Sequence, residues 1–355
     1  MPRDSRPELF SPEEHVERLI DANLDRAREG LRVVEDWCRF GLNRKDLVVT
    51  IKGWRQWLGH CHRDCYKLAR CAATDCGTGL THQAQRQRAA PAAIVAANAG
   101  RVQEALRVLE EFGRYRDIEL ATTATTIRYR LYDLEREVLV AGTAKERQRR
   151  LAACQLCLIT SPRPDLLSMV EAALTAGVQL VQFRPKYRDA VDSCDRKSLE
   201  LAKELAERCR STGALFVVND RVDIALATDA DGVHLGQDDL PIAVARQLLG
   251  VERLVGRSTH SLPQIYEAEQ EGCNYLGVGP VYCTKSKPER SVAGLSFVRE
   301  AAAATSLPWF AIGGISPERI PELKSAGAQR IAVIGVVAAS PDARSVVRSL
   351  LKALA

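Results

Sequence analysis

A chain of 355 residues exceeds one ordinary compact unit and implies two domains, or one large α/β barrel with an extension. With 46% apolar and 27% charged residues it has ample core material, which excludes a mostly disordered or collagen-like chain. Its 50 basic and 45 acidic residues leave a net charge of +5, too balanced to argue for a nucleic-acid surface and suited to anionic small substrates. No apolar run approaches the roughly 18 residues that span a bilayer, and Met1-Pro2-Arg3-Asp4-Ser5 begins no apolar signal core. The 11 cysteines show no regular framework and read as reduced thiols in a cytoplasm.

Residues 1–140 carry few strand-like runs and are rich in Arg, Glu, Ala and Leu at helical spacing, which predicts an all-α domain. It contains an internal repeat. The stretch Asn23 to Asp36 returns as Asn98 to Glu111, with Asn, Arg, Glu, Leu, Arg, Val and Glu in the same places. Two copies are too few for a solenoid and point to two related helical units. Leu24, Ala27, Leu31 and Val34 form an apolar seam at steps of three and four. Asn23, Arg26, Glu29, Arg32 and Glu35 step by three around the other faces. That row reads either as an ion ladder on a solvated face or as one of two symmetric anion or nucleotide pockets.

The polar stretch 141–150 is expected to be a linker. From residue 151 onward short apolar runs alternate with helical segments. The runs are Cys154–Ile159, Val178–Gln182, Ala214–Val218, Gly232–Leu235, Leu254–Gly256, Tyr275–Val278, Trp309–Ile312 and Arg330–Ile334. Intervening segments such as Asp165–Ala176, Ser198–Ser211, Ile242–Leu249 and Leu262–Glu271 suit helices. Parallel strands covered on both faces look like this. Eight such units over 151–355 predict a compact (β/α)8 TIM barrel, with a doubly wound sheet as the second choice.

A barrel carries its chemistry just after its strands. The second run ends in Gln182, Arg184 and Lys186, whose alternation puts an amide and two cations on one side, suited to a di- or triphosphate. Asp220 follows the third run, and Asp238 and Asp239 follow the fourth. Carboxylates on neighbouring strand ends hold Mg²⁺ against a phosphate chain, although Asp238 or Asp239 could instead cap a helix near Pro241. Ser258, Thr259 and His260 follow the fifth run. Thr284, Lys285, Ser286 and Lys287 stand in a loop after the sixth, able to bind an anion or close as a lid. Gly313-Gly314 and Ile334-Gly335 end the last two runs, where glycine lets backbone N–H groups approach a phosphate. The chain therefore offers two anion sites, one built on cations and Mg²⁺ and one on backbone.

These motifs together resemble thiamine phosphate synthase. The resemblance rests on Gln182-x-Arg184-x-Lys186, Asn219-Asp220, the stretch Asp231 to Gln237 with Asp239, Ser258-x-His260, the stretch Gly277 to Lys287, and Ile312 to Ile315. It implies joining of hydroxymethylpyrimidine diphosphate to a thiazole phosphate. Gln182, Arg184, Lys186, Asn219, Ser258 and Lys287 would hold the pyrimidine diphosphate. Asp220 and Asp239 would bind Mg²⁺. Thr284, Ser286, Gly314, Ile334 and Gly335 would hold the thiazole phosphate. Arg184, Lys186, Ser258 and Lys287 would serve catalysis. Many members have Ser where this chain has Gly335.

Residues 1–140 resemble a helical domain, found fused ahead of the synthase, that is associated with phosphorylating hydroxymethylpyrimidine phosphate. No P-loop is present, so an ATP site would use the Arg/Glu rows or the loop Asp75 to Thr81. The rival reading is a structural or dimerising domain within a homo-oligomer. For the barrel the rivals are a phosphosugar isomerase, which needs a Glu or Asp base, and a non-catalytic sensor. His60, Cys61, His62 and Cys65 fit no common zinc spacing. Cys154 and Cys157 read as small buried residues, His234 as a packed, hydrogen-bonded residue and not a base, and His260 as loop packing.

Overall fold

The computed structural model describes residues 11–70, 88, 90–186, 194–284 and 292–355. The chain divides into two compact units, Met1–Thr143 and Ala144–Ala355. The first is all-helical. It comprises α1 (Pro12–Asp36), a π-helical turn (Trp37–Leu42), α2 (Lys45–His60), α3 (Asp64–Leu68), α4 (Pro91–Arg116) and most of α5 (Ile118–Ala153). α1 starts at a reciprocal cap: Glu14 N–H donates to Ser11 Oγ at 3.2 Å and Ser11 N–H to Glu14 Oε2 at 2.6 Å.

The repeat is structural. Leu24, Ala27, Leu31 and Val34 on α1 are fully buried, and so are Ala99, Val102, Leu106 and Leu109 on α4. The two helices approach closely at Gly30, where an added Cβ would stand 2.5 Å from Val102 Cγ2 and 3.1 Å from the Asn98 carbonyl. Glu35 and its counterpart Glu110 are each only 3% exposed.

This corrects the picture of a ladder on a solvated face. Steps of three advance 300°, so each step drifts by about 60° and the row circles the helix. Asn23 and Glu35, at its ends, are therefore buried, while Arg26, Glu29 and Arg32 are exposed. Each buried glutamate keeps an arginine of its own helix, Arg32 at 3.9 Å from Glu35 and Arg114 at 2.5 Å from Glu110, and adds a partner from another helix. Arg55 of α2 donates to Glu35 at 2.6 Å and Arg128 of α5 to Glu110 at 3.0 Å.

The second unit is a closed barrel of eight parallel strands in sequence order. They are β1 (Leu156–Ile159), β2 (Leu180–Phe183), β3 (Leu215–Asn219), β4 (Gly232–Leu235), β5 (Leu254–Thr259), β6 (Tyr275–Val278), β7 (Trp309–Ile312) and β8 (Ile331–Val333). β8 closes on β1 with Cys157 opposite Ala332. The helices after the strands are α6 (Leu166–Thr175), α7 (Asp195–Thr212), α8 (Val222–Ala227), α9 (Ile242–Leu249), α10 (Leu262–Gln270), α11 (Gly294–Ala304), α12 (Ile320–Ser325), α13 (Gly335–Ala338) and α14 (Ala343–Leu354).

Alternation along the strands makes two cores. Residues such as Leu158, Val181, Phe216, Val233 and Leu276 pack outward against the helices. Cys157, Leu180, Leu215, Leu254, Tyr275 and Phe310 fill the inside. Tyr275 takes the space that Gly256 leaves: a Cβ there would meet its ring at 2.2 Å. The Phe310 ring stands edge-on to it at 5.9 Å.

Residues 141–150, expected as a linker, are helical within α5. The end of that helix belongs to the barrel unit. Arg147 Nε donates to Asp231 at 3.0 Å, Arg150 donates to the Gly213 carbonyl at 3.0 Å, and Leu151 joins the inner core. The basic residues that suggested a solvated tether are there to bond strand and loop ends. Among the described residues no helix is long and apolar enough to cross a membrane.

Candidate active site

Read upward along each strand, the inward positions change from apolar to polar. Leu180 gives way to Gln182 and Arg184, Val217 to Asn219, Gly232 to His234, and Gly256 to Ser258. They line one cavity of about 450 Å³, together with Gly279, Thr284, Ile312, Gly313, Gly314, Ile334 and Gly335. Gln182, Arg184, Asn219 and Ser258 of the expected cationic site and Thr284, Gly314, Ile334 and Gly335 of the expected backbone site thus line a single chamber, whereas Lys186, Asp220 and Asp239 are not among the residues lining it.

On the cationic wall, Gln182 is 3% and Asn219 8% exposed. Arg184 N–H donates to Thr160 Oγ1 at 2.9 Å, which ties the end of β2 to β1. Burial pushes the Arg184 guanidinium below its usual range, and Asp220 opposes that shift. A half-buried guanidinium with no ion pair among the described residues is suited to an anion.

Asp220 caps β3 at φ +62, a left-handed conformation that aspartate tolerates better than most residues, and its N–H donates to the His234 carbonyl at 2.9 Å. Lys186 Nζ lies 2.6 Å from Asp220 Oδ2. Asp239 accepts the Gly236 N–H at 2.7 Å and is in hydrogen-bonding contact with Asp220. Burial, and then the hydrogen bond from Asp239, raise the Asp220 carboxyl above its ordinary value, while Lys186 pulls it down. Two carboxylates this close repel unless a proton or a cation lies between them. Hard oxygen donors of this kind suit a divalent cation that completes its shell with water and further oxygens. No group of three or more His, Cys, Asp or Glu suited to a metal ion occurs among the described residues.

His234 Nε2 lies 3.0 Å from Ser258 Oγ, and its ring packs on Tyr275 at 5.4 Å between centroids. Gln237 Nε2 donates to the Ser258 carbonyl at 2.6 Å. His234 is therefore packed and hydrogen-bonded as expected, and it also lines the cavity. His260 contacts the Gly279 carbonyl through Nδ1, as loop packing requires, and it too reaches the cavity wall. The opposite wall is backbone. Gly313 and Gly314 have φ of +106 and +64. A Cβ on Gly314 would stand 2.7 Å from the Cys283 carbonyl. Gly335 opens α13 with nothing within 4 Å of its Cβ position.

Ser286, Lys287 and the loop Asp75 to Thr81 lie outside the described residues. Sequence reasoning missed Thr160, which ties Arg184 in place, and quoted Gln237 without its role of holding the Ser258 carbonyl. Their only signal is position at a strand end. Cys154 and Cys157 are buried free thiols, and burial pushes Cys154 up to about 12.

Comparison with known proteins agrees with this chamber. A family model described as "Thiamine monophosphate synthase" matches residues 156–337, and one described as "ThiD2 family" matches residues 18–137. A "Thiamine-phosphate synthase" of Prochlorococcus marinus is 59% identical over 344 residues, which is 96% of each chain. The chain belongs to the thiamine-phosphate synthase family. It is, with that family, an enzyme and a transferase. A relative of the same description from Synechocystis sp. is 47% identical over 339 residues, again 96% of each chain. Among solved structures, thiamine phosphate pyrophosphorylase from Pyrococcus furiosus is 36% identical with a TM-score of 0.52, and covers 58% of this chain and 96% of its own. The solved structure thus covers the barrel part of the chain, and the relatives match nearly its full length.

Proposed function

We propose that the barrel joins a hydroxymethylpyrimidine diphosphate to a thiazole phosphate, releasing diphosphate. The observation that carries this reading is the single chamber with a cationic wall facing a glycine backbone wall. A reaction between two phosphorylated molecules needs both. Gln182 and Asn219 orient the pyrimidine, and Arg184 and Lys186 meet the diphosphate. Gly313, Gly314 and Gly335 offer backbone to the thiazole phosphate, beside Thr284 and Ile334. Asp220 and Asp239 hold a divalent cation, Mg²⁺ in this reading, which when bound neutralises charge on the diphosphate oxygens.

The chemistry then asks little of the protein as acid or base. The aminopyrimidine donates electrons to its methylene, so the C–O bond breaks with its electron pair leaving on the diphosphate. The thiazole nitrogen supplies its lone pair to the methylene and forms the C–N bond. Arg184 and Lys186 stabilise the departing charge. The apolar floor of Ile159, Tyr275 and Phe310 keeps water from the cation.

For the N-terminal unit we propose phosphorylation of the pyrimidine monophosphate by ATP, which would supply the barrel. The match of residues 18–137 to a second family model and the buried Arg/Glu networks support it. The free thiols among the described residues fit a reducing, cytoplasmic setting.

Steady-state kinetics of Arg184→Gln tests the barrel reading. The variant should raise KM for the pyrimidine diphosphate about tenfold or more and leave KM for the thiazole phosphate near its original value. An equal rise for both substrates, or no change, would overturn the assignment of the walls.

A further inference from the structure

The two helical repeats differ at one place. Contacts along the α1–α2 seam form three rungs. Asp21 Oδ1 lies 2.6 Å from His62 Nε2 at one end. At the other, Arg55 NH1 donates to Glu35 Oε2 at 2.6 Å. Between them Arg28 reaches over Gly59, with its NH2 3.8 Å from where a Cβ would stand. The outer rungs are closed by opposite partners. The middle one sets a cation against a residue with no side chain.

Arg28 forms no ion pair among the described residues, and its Nε is buried without a hydrogen-bond partner. Arg55 Nε and His62 Nδ1, on the flanking rungs, are also buried and unpartnered. The His62 side chain is only 5% exposed. Buried donors left unmade are costly, and the two arginine Nε atoms along one seam mark a place that lacks its acceptor. At the Asp21 end, Arg70 pairs with both Asp21 and Asp25 at 2.5 Å, which holds the carboxylates away from Arg28.

The second repeat shows the same seam filled. α4 follows α1 at an offset of 75 residues, as Glu35 to Glu110 shows, and α5 follows α2 at 73, as Arg55 to Arg128 shows. Arg28 becomes Gln103, Gly59 becomes Tyr132 and His62 becomes Glu135. Gln103 Nε2 donates to Glu135 Oε2 at 2.7 Å, so this rung is satisfied internally. Asp21 and Asp25 become Ala96 and Gly100. The glutamate–arginine rung alone is common to both copies.

We infer that the first repeat binds a phosphate-bearing small molecule, with its phosphate on Arg28 in the space left by Gly59, and that the second repeat is a closed structural counterpart. This rests on the reading of the N-terminal unit as acting on a phosphorylated pyrimidine with ATP, and it gives that reading one site in place of two. The phosphate is that of the pyrimidine monophosphate or that of ATP. Either supplies the acceptor oxygens that Arg28 and Arg55 lack.

Calorimetric titration of the full chain separates the two sources. An Arg184→Gln background weakens pyrimidine binding in the barrel cavity. Pyrimidine monophosphate and Mg-ATP are titrated separately. Arg28→Gln and Gly59→Leu should each weaken one of these ligands about tenfold or more, and that ligand is the one on Arg28. Arg28→Lys should restore part of the affinity, and Gln103→Ala should change nothing. Unchanged helical circular dichroism and denaturant unfolding of Arg28→Gln report that the helical unit survives. The inference is overturned by absence of binding of either ligand to the parent, by unchanged affinities in both variants, or by an equal loss in Gln103→Ala. ADP formation is followed in parallel. Binding without ADP leaves the site and removes the kinase reading. ADP formed at an unchanged rate by both variants leaves the kinase reading and removes the site.

Discussion

Asp220 is the residue on which the cationic wall turns. Folding raises its carboxyl because burial and Asp239 both favour the protonated form. The folded state therefore binds the proton more tightly than the unfolded chain. The stability this provides is present at acid pH and is lost as pH rises through the folded value. A divalent cation inverts the preference, because it favours the ionised pair. Adding Mg²⁺ to the cation-free protein in weakly buffered, mildly acid solution should therefore release protons, and Asp220→Asn should abolish the release. The same variant should lose about 100-fold or more in kcat/KM. Proton-neutral binding of Mg²⁺ would contradict this account of the pair. On the opposite wall, Gly335 has room for a side chain and a backbone that any residue adopts. Gly335→Ser should fold normally. If a hydroxyl adds to the backbone contacts, KM for the thiazole phosphate falls. An unchanged KM means that the phosphate uses backbone alone.

Among the elements, α5 departs most from its sequence. A run of charged residues at 141–150 reads as a solvated connection, because composition does not show where an arginine finds its partner. In the structure Arg147 donates to Asp231 and to the Glu252 carbonyl at 3.1 Å, with only 13% of its side chain exposed. Arg147→Ala should destabilise the barrel by about 1–3 kcal/mol, since it leaves a partly buried aspartate without its cation. Denaturant unfolding of the variant checks this, and an unchanged midpoint would show the pairing to be idle. The strands were far more legible. β4, β6 and β7 begin and end where their apolar runs do, since buried parallel strands are written as short apolar runs bounded by polar ends. β5 runs past its expected end at Gly256 to Thr259, because Arg257 and Thr259 are polar yet buried and bonded to backbone carbonyls. The fate of Glu35 was not legible. Helical spacing told which faces it could occupy, but only the neighbouring α2 decides that it is buried against Arg55.

For the whole molecule, the order of motifs was enough to identify a barrel with its chemistry after each strand, and the structure gathers Gln182, Arg184, Asn219, Ser258, Thr284, Gly314, Ile334 and Gly335 around one chamber. That the two anion sites share it was not readable, because the sequence gives each strand end separately and only barrel closure sets them face to face. The same holds for the floor, where Tyr275 fills the space left by Gly256 and packs on Phe310. The central claim is that this chamber joins the two phosphorylated substrates. The most direct test supplies the full chain with pyrimidine diphosphate, thiazole phosphate and Mg²⁺ and follows both products. The account predicts thiamine phosphate and diphosphate in equal amounts, with neither formed when either substrate is left out. Diphosphate released without thiamine phosphate, or no product at all, would contradict it.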